Sequence, residues 1–435
     1  MDLVIKDARL TGREGLVDIG LEGGKIAALG PDLRGSQEIS AEGNLVSPSF
    51  YEIHIHLDAI LTEGDPRPNQ SGSLWEGIAI WSERVKRLTR EDVRSRVLQA
   101  LPWFVAHGVT HIRTHVDVCD PSLTALKALK EIQAEVADLI EIQLVAFPQL
   151  GMFSWEGGDE MVRRALELGA DVIGGIPHYE ITREYGVQNV KFALDLAHQT
   201  GLPVDIHCDE TDDEQSRFLE TLAAETLRLR LSGRVAASHT TAMHSYNNAY
   251  ADKIIGNVRR AGLHVICNPP DNSVLQGRFD HYPIRRGLTR VKELLAAGVN
   301  VAAGHDSVMD PWYPMGCGDP MHTAFILLHY GLMSGREDRA HLFPMLSSRP
   351  AAIWNNRLVQ GSEGLQGHGV RVGNPADLIV WPVPTEDDAL RILPARRYVI
   401  KRGRIVAETK PEITRVEGQE IRFLRQGLYV QRPAP

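Results

Sequence analysis

Apolar positions along the 435-residue chain fall into two textures. Up to about residue 47 the apolar runs are short and alternate with polar residues, the period-two pattern of half-buried strands. They lie at Leu3–Ile5, Leu16–Leu21 and Lys25–Leu29, broken by Gly23-Gly24 and Gly30-Pro31. The same texture returns beyond about residue 370, at Asp377–Trp381, Arg397–Lys401 and Gly403–Glu408. Termini often lie close together, so the two ends are expected to form one small β-sandwich domain, 1–47 with 368–435. Two separate β extensions are the alternative.

Between them, over 48–367, strand-like and helix-like stretches alternate. Apolar β runs occur at Leu45–His56, Val109–Val118, Ile140–Pro148, Ala170–Ile176, Pro203–His207, Val235–Ser238, Leu263–Cys267 and Val299–Ala303. Helical spacing marks Glu91–Ala106, Thr124–Val136, Glu160–Leu168, Asn189–Gln199, Glu214–Leu231, Asn247–Ala261 and Thr289–Ala297. Gly108, Gly169, Gly201, Gly262 and Gly298 stand where such helices should stop, as a left-handed C-cap requires. Strands each followed by a helix predict an α/β fold, a (β/α)8 TIM-type barrel; an open doubly wound sheet would also satisfy the alternation.

Composition narrows the class. With 43% hydrophobic and 24% charged residues the chain reads as globular and soluble. A net charge of -9 argues against a nucleic-acid partner, and no apolar run reaches the ~18 residues of a membrane span. The start lacks the basic and apolar regions of a signal peptide. Cys119, Cys208, Cys267 and Cys317 form no C-x-x-C pair. Reduced thiols in the cytoplasm are therefore expected.

Chemistry gathers at the predicted strand ends, where such barrels carry their sites. His54 and His56 project from one face of a strand and make half of a metal site. Further along come His115 and Asp117, Gln149, His178, His207 with Asp209 and Glu210, His239, Asn268 and Asn272, and Asp306. Burying so many polar groups without function would cost about 1–3 kcal/mol each.

These stretches are similar to the amidohydrolase superfamily, and within it to bacterial-type cytosine deaminases. The resemblance runs through His-Ile-His-Leu-Asp at 54–58, Asn-Gln-Ser-Gly-Ser-Leu-Trp-Glu-Gly at 69–77 and Arg-Thr-His-Val-Asp at 113–117. It continues with Val-Ala-Phe-Pro-Gln at 145–149, His-Cys-Asp-Glu at 207–210 and Ser-His-Thr-Thr-Ala-Met-His-Ser-Tyr at 238–246. Leu-Gln-Gly-Arg-Phe-Asp at 275–280 and Gly-His-Asp at 304–306 complete it. It implies His54, His56, His207 and Asp306 as ligands of one divalent metal ion, Fe2+ or Zn2+. Strand four lacks the lysine that bridges two metals in some relatives.

The resemblance further implies Glu210 as proton shuttle, with His239 and Asp306 acting on the attacking water. Gln149 would read the amide edge of a ring, and Leu74, Phe153 and Trp312 would wall it. His115, Asp117, His178, Asp209 and His244 would support the ligands. The implied substrate is a free nucleobase, cytosine or a C5-substituted cytosine. Isoguanine, creatinine, an aminotriazine, cyclic-amide hydrolysis and a catalytically silent scaffold are alternatives, and a homo-oligomer stays open. Two departures stand out. Ser307 follows Asp306 where the family usually has a second acid, so the pocket is expected to gain about a methyl's volume and lose a negative charge, favouring 5-methylcytosine. The stretch Asn268-Pro269-Pro270-Asp271-Asn272-Ser273 also differs in its middle and is a second place where the pocket is expected to be reshaped.

Overall fold

The computed structural model of the protein describes residues 1–358 and 367–410, and three further strands over 412–416, 419–424 and 427–429. Eight parallel strands form the central sheet in sequence order. They are β1 (Phe50–Ile55), β2 (Val109–Asp117), β3 (Glu141–Phe147), β4 (Val172–Gly175), β5 (Val204–Cys208), β6 (Val235–His239), β7 (His264–Cys267) and β8 (Asn300–Ala303). Just past β8 the chain meets the end of β1: Asp306 N donates to His54 O at 2.8 Å and His56 N donates to Asp306 O at 3.0 Å. That bridge curls the sheet into a nearly closed barrel, as the alternation of strands and helices predicts.

Helices cover the outside because their apolar faces need it. Arg90–Ala106, Thr124–Glu135, Gly158–Glu167, Arg183–Thr200, Phe218–Leu229, Asn248–Ala261 and Val291–Ala296 each follow a barrel strand or lead into the next. Thr89, Thr182 and Asn247 cap their helices by accepting from Asp92 N, Tyr185 N and Tyr250 N. The five stop glycines all take positive φ.

Several boundaries differ from the sequence reading. The run at Leu45–His56 is two strands: Val46–Pro48 leaves the barrel to pair with Leu378–Val380, and only Phe50–Ile55 enters it. The helix expected from Glu214 begins at Phe218. The helices Leu74–Arg84, Pro269–Leu275, Pro320–Tyr330, Leu342–Leu346 and Ser348–Trp354 were not read from the pattern.

The two ends of the chain do meet. One sheet holds Lys25–Gly30, Val17–Glu22, Leu3–Ala8 and Gln37–Ser40; a second holds Arg404–Glu408, Tyr398–Lys401, Leu378–Val380 and Val46–Pro48. Leu3, Ile5, Ile19, Leu21 and Ile26 share one apolar core with Ala376, Leu378, Val380 and Ile400. The expected domain also takes in 430–435, which lie outside the described residues. No helix among the described residues is long and apolar enough to cross a membrane.

Candidate metal and active site

The site forms at the C-terminal mouth of the barrel. Strand periodicity sends His54 and His56 inward together, His207 follows from β5, and the β8 turn brings Asp306 between them. His54 Nε2 lies 3.2 Å and His56 Nε2 3.5 Å from Asp306 Oδ1, while His56 Nε2 and His207 Nε2 are 3.2 Å apart. His54, His207, His239 and Asp306 offer ligand atoms all within 4.8 Å of one another, with His56 at the edge of that group.

Hydrogen bonding fixes which nitrogen of His54 faces the cluster. Ser238 Oγ donates its single proton to Asp205 Oδ1 at 2.6 Å, so it must accept from His54 Nδ1 at 2.9 Å. The lone pair of His54 then sits on Nε2, a buried atom with no hydrogen-bond partner among the described residues. Burial pushes the His56 imidazole down to about 4 and holds His207 and His239 well below the usual histidine range. Neutral imidazoles beside a carboxylate are a donor set for one zinc or iron(II) ion, and the residues fit such a cation. A second group, His54, His115 and Asp205, also converges, but Arg113 Nη1 at 3.1 Å already neutralises Asp205.

Around the cluster the backbone is held in unusual conformations. Asp209, His239 and Asp306 take φ of 53°, 69° and 74°, a left-handed region that costs a non-glycine residue about 1–3 kcal/mol. Such strain persists only where surrounding bonds fix it. Glu52 accepts from His54 N at 3.1 Å and His305 N at 3.0 Å, tying β1 to the β8 turn. Gly304 allows this approach, since a Cβ there would lie 2.7 Å from Asn268 Oδ1 and 2.9 Å from His54 Cβ.

Glu210 is buried beside His239, its Oε1 3.3 Å from His239 Nδ1. Asn272 Nδ2 donates to Glu210 Oε1 at 3.0 Å and lies 3.2 Å from His239 Nδ1. Burial, and then the charge of Asp306, push the Glu210 carboxyl well above the usual range. Asp306 is lowered because the neighbouring histidines outweigh its burial.

The cleft beside these groups encloses about 280 Å³ of space, part of it open to solvent, and is walled by Leu74, Gln149, Ile176, Asp271, Ser307 and Trp312. The sequence reading brought four of those six to the wall; Asp271 lies in the stretch after strand seven that was expected to reshape the pocket, and Ile176 was not expected there. Phe153 does not line it and packs edge-on against Phe192. A second carboxyl does stand beside Ser307: its Oγ donates to Asp271 Oδ2 at 3.2 Å, and burial with the charge of Asp306 raises that carboxyl well above the usual range.

The expected supporting residues divide. The His115 ring lies 4.0 Å from that of His54 and 4.5 Å from that of His207. His178 Nδ1 bonds the His207 carbonyl at 3.1 Å. Asp209 accepts from Phe218 N and Leu219 N and so starts the following helix. Asp117 accepts from Trp81 Nε1 at 3.0 Å, and His244 pairs with Asp212 at 3.2 Å, each away from the ligand cluster. Asp205, Ser238 and Asn272 had been given no role. The one local signal was Asp205 standing two before His207 on one strand face.

A barrel whose strand ends gather three imidazoles, a carboxylate and a buried acid is an amidohydrolase architecture. The amidohydrolase family model matches residues 37–407, and the chain belongs to that family, as metal-dependent hydrolases of C–N bonds. The chain is similar to the crystal structure of 5-methylcytosine deaminase from Klebsiella pneumoniae liganded with 5-fluorocytosine. Identity is 42%, covering 96% of this chain and 100% of that one, with a TM-score of 0.90. Among curated relatives it is 29% identical to N-isopropylammelide isopropyl amidohydrolase from Pseudomonas sp. (strain ADP), over 94% of this chain and 97% of the relative. It is 28% identical to pterin deaminase from Rhizobium rhizogenes, over 85% of this chain and 82% of the relative.

Proposed function

We propose that the protein hydrolyses the exocyclic amine of a free aminopyrimidine, cytosine or a C5-substituted cytosine such as 5-methylcytosine, giving the oxopyrimidine and ammonia. The observation that carries this reading is the buried Glu210 carboxyl, held by Asn272 and His239 beside the ligand cluster and facing a small cleft. His54, His56, His207 and Asp306 would hold one divalent ion, zinc or iron(II). When bound, such an ion supplies Lewis acidity and lowers the pKa of an adjacent water.

The chain's own residues do the rest. His239 and Asp306 accept the proton of the attacking water. Glu210 delivers its proton to ring N3, takes up the remaining hydroxyl proton of the added water and passes it to the amine, which leaves as ammonia, and the first water proton returns from His239 and Asp306 to Glu210. Gln149 offers a donor and an acceptor to the ring's amide edge, while Leu74 and Trp312 cover its faces. The small Ser307 side chain leaves room for a methyl at C5. The chain's catalytic unit would span 48–367, and 1–47 with 368–435 the small β domain, consistent with the core that the ends share. The four cysteines, with no C-x-x-C pair among them, accord with a reducing cytoplasm.

An ammonia-release screen over cytosine, 5-methylcytosine, isoguanine, creatinine and aminotriazines, with iron- and zinc-loaded protein, tests this. The pyrimidines are expected to lead. The aminotriazine stays in the panel because of the N-isopropylammelide relative, and a triazine turned over faster than either pyrimidine would overturn the reading. Ser307→Asp is expected to lower kcat/KM for 5-methylcytosine relative to cytosine by about tenfold. An unchanged ratio would remove Ser307 from the account.

A further inference from the structure

We propose that Asp271 is a substrate-binding residue, its free carboxylate oxygen accepting a hydrogen bond from the exocyclic amino group of the ring and so selecting the amino substrate over the oxo product. This rests on the aminopyrimidine reading above and adds to it a residue that the sequence motifs did not single out for contact.

The argument begins with the backbone. β7 ends at Cys267, and Pro269 and Pro270 open the helix Pro269–Leu275 at once. A proline at the first helical turn is preset for that conformation. The abrupt turn sets Asp271 into the wall of the cleft, where it is 3% exposed. Its two oxygens are not equivalent. Oδ2 accepts from Ser307 Oγ at 3.2 Å, whereas Oδ1 has no partner among the described residues. A buried acceptor without a donor is costly, so such atoms are the exception and call for a ligand or water.

The neighbouring groups do not supply the missing N–H. Asp306 and Glu210, which also border the cleft, are carboxyls without an N–H, and the proton of Glu210 is the one assigned to the ring. The adjacent amide, Asn272 Nδ2, is directed at Glu210 and His239. Ser307 has spent its one proton on Oδ2. The donor must come from what fills the cleft.

An aminopyrimidine brings the right atom. With its reacting carbon facing the cluster around Asp306, the amino group on that carbon would point to the wall that Ser307 and Asp271 share. Once deaminated, the ring presents a carbonyl oxygen at that place. Two lone-pair-bearing oxygens would oppose each other there, which favours release of the product. A site built to satisfy an N–H rejects a ring that lacks it far better than an apolar wall can.

The test measures kcat/KM for cytosine and 5-methylcytosine alongside the inhibition constants of uracil and thymine, for wild type, Asp271→Asn and Asp271→Ser. Melting temperature serves as the folding check. Both variants are expected to lose about tenfold to a hundredfold in kcat/KM, chiefly through KM. They are expected to bind the oxo rings at least as tightly as wild type, and the Asn amide tighter, because it can donate to the carbonyl. A merely structural residue would weaken amino and oxo rings together, and that result, unchanged constants, or failure of both variants to fold would overturn the inference. An active wild type with such variants would sink this inference alone. A wild type releasing no ammonia from any aminopyrimidine would sink the functional reading, and this one with it.

Discussion

Glu210 shows how one residue's chemistry is set by what surrounds it. It is buried, faces the Asp306 carboxylate and receives one amide bond from Asn272. The first two raise its pKa and the third opposes them, and the balance holds the carboxyl well above the usual range. A group in that state can give a proton to a ring nitrogen and take one back from a water. Glu210→Gln keeps the shape and the bond to Asn272 but removes the transferable proton. It is expected to lower kcat by about 10²–10⁴ with melting temperature and bound metal unchanged, as read by ammonia release and metal analysis. Retained activity would assign the proton traffic elsewhere. Position three after a ligand histidine made Glu210 legible in the sequence. Asp271 was legible only as part of an unusual stretch after strand seven, because its contact depends on a Ser307 hydroxyl that arrives from another strand.

At the scale of elements, four strands cooperate on one imidazole. Arg113 of β2 donates to Asp205 of β5, Ser238 of β6 bridges Asp205 to His54, and His54 ends β1. Each strand contributes one side chain to the network, with Asp205 and Ser238 two positions apart in the register of β5 and β6, so the network exists only when the sheet is in register. Asp205→Asn keeps the side chain's size but leaves the buried Arg113 without its counter-charge and weakens the hold on Ser238 and on the His54 tautomer. It is expected to weaken metal affinity by about 10–100-fold, measured by chelator competition; unchanged affinity would mean that the bridge does not orient His54. The strands themselves were legible from their period and the outer helices from their apolar stripe and stop glycines. The missed elements lacked those cues. Pro320–Tyr330 is apolar around most of its circumference, and Pro269–Leu275 opens on two prolines, which read as a break. The helix after β5 starts four residues later than its spacing suggested because Asp209 reaches forward to cap Phe218 and Leu219.

Across the whole molecule, the C-terminal strands are fastened to the barrel by charge pairs, Lys401 with Glu141 of β3 and, fully buried, Arg396 with Asp319. Arg396 precedes the strand Tyr398–Lys401, and its guanidinium bonds both carboxylate oxygens of Asp319. Asp319 is itself the N-cap of Pro320–Tyr330, accepting from Met321 N at 2.9 Å. The guanidinium also lies 5.0 Å from the Trp381 ring and 5.9 Å from that of Phe50, at the start of β1. Burial alone would raise the Asp319 carboxyl, but the Arg396 charge, with His107, outweighs it and holds the pKa down at about 2. An unfolded aspartate titrates near 3.9, so the folded value is the lower one. The pair's stabilisation, of order 2 kcal/mol, is therefore complete above about pH 4 and disappears as pH falls through about 2. Asp319→Asn should melt below wild type at pH 7, because it leaves a buried guanidinium without its counter-charge. The gap between the two melting temperatures should hold from pH 7 to 5 and narrow below pH 4, as wild type takes up the proton its variant cannot bind. A gap constant down to pH 2.5 would show that this carboxylate is not what ties the chain's end to the barrel.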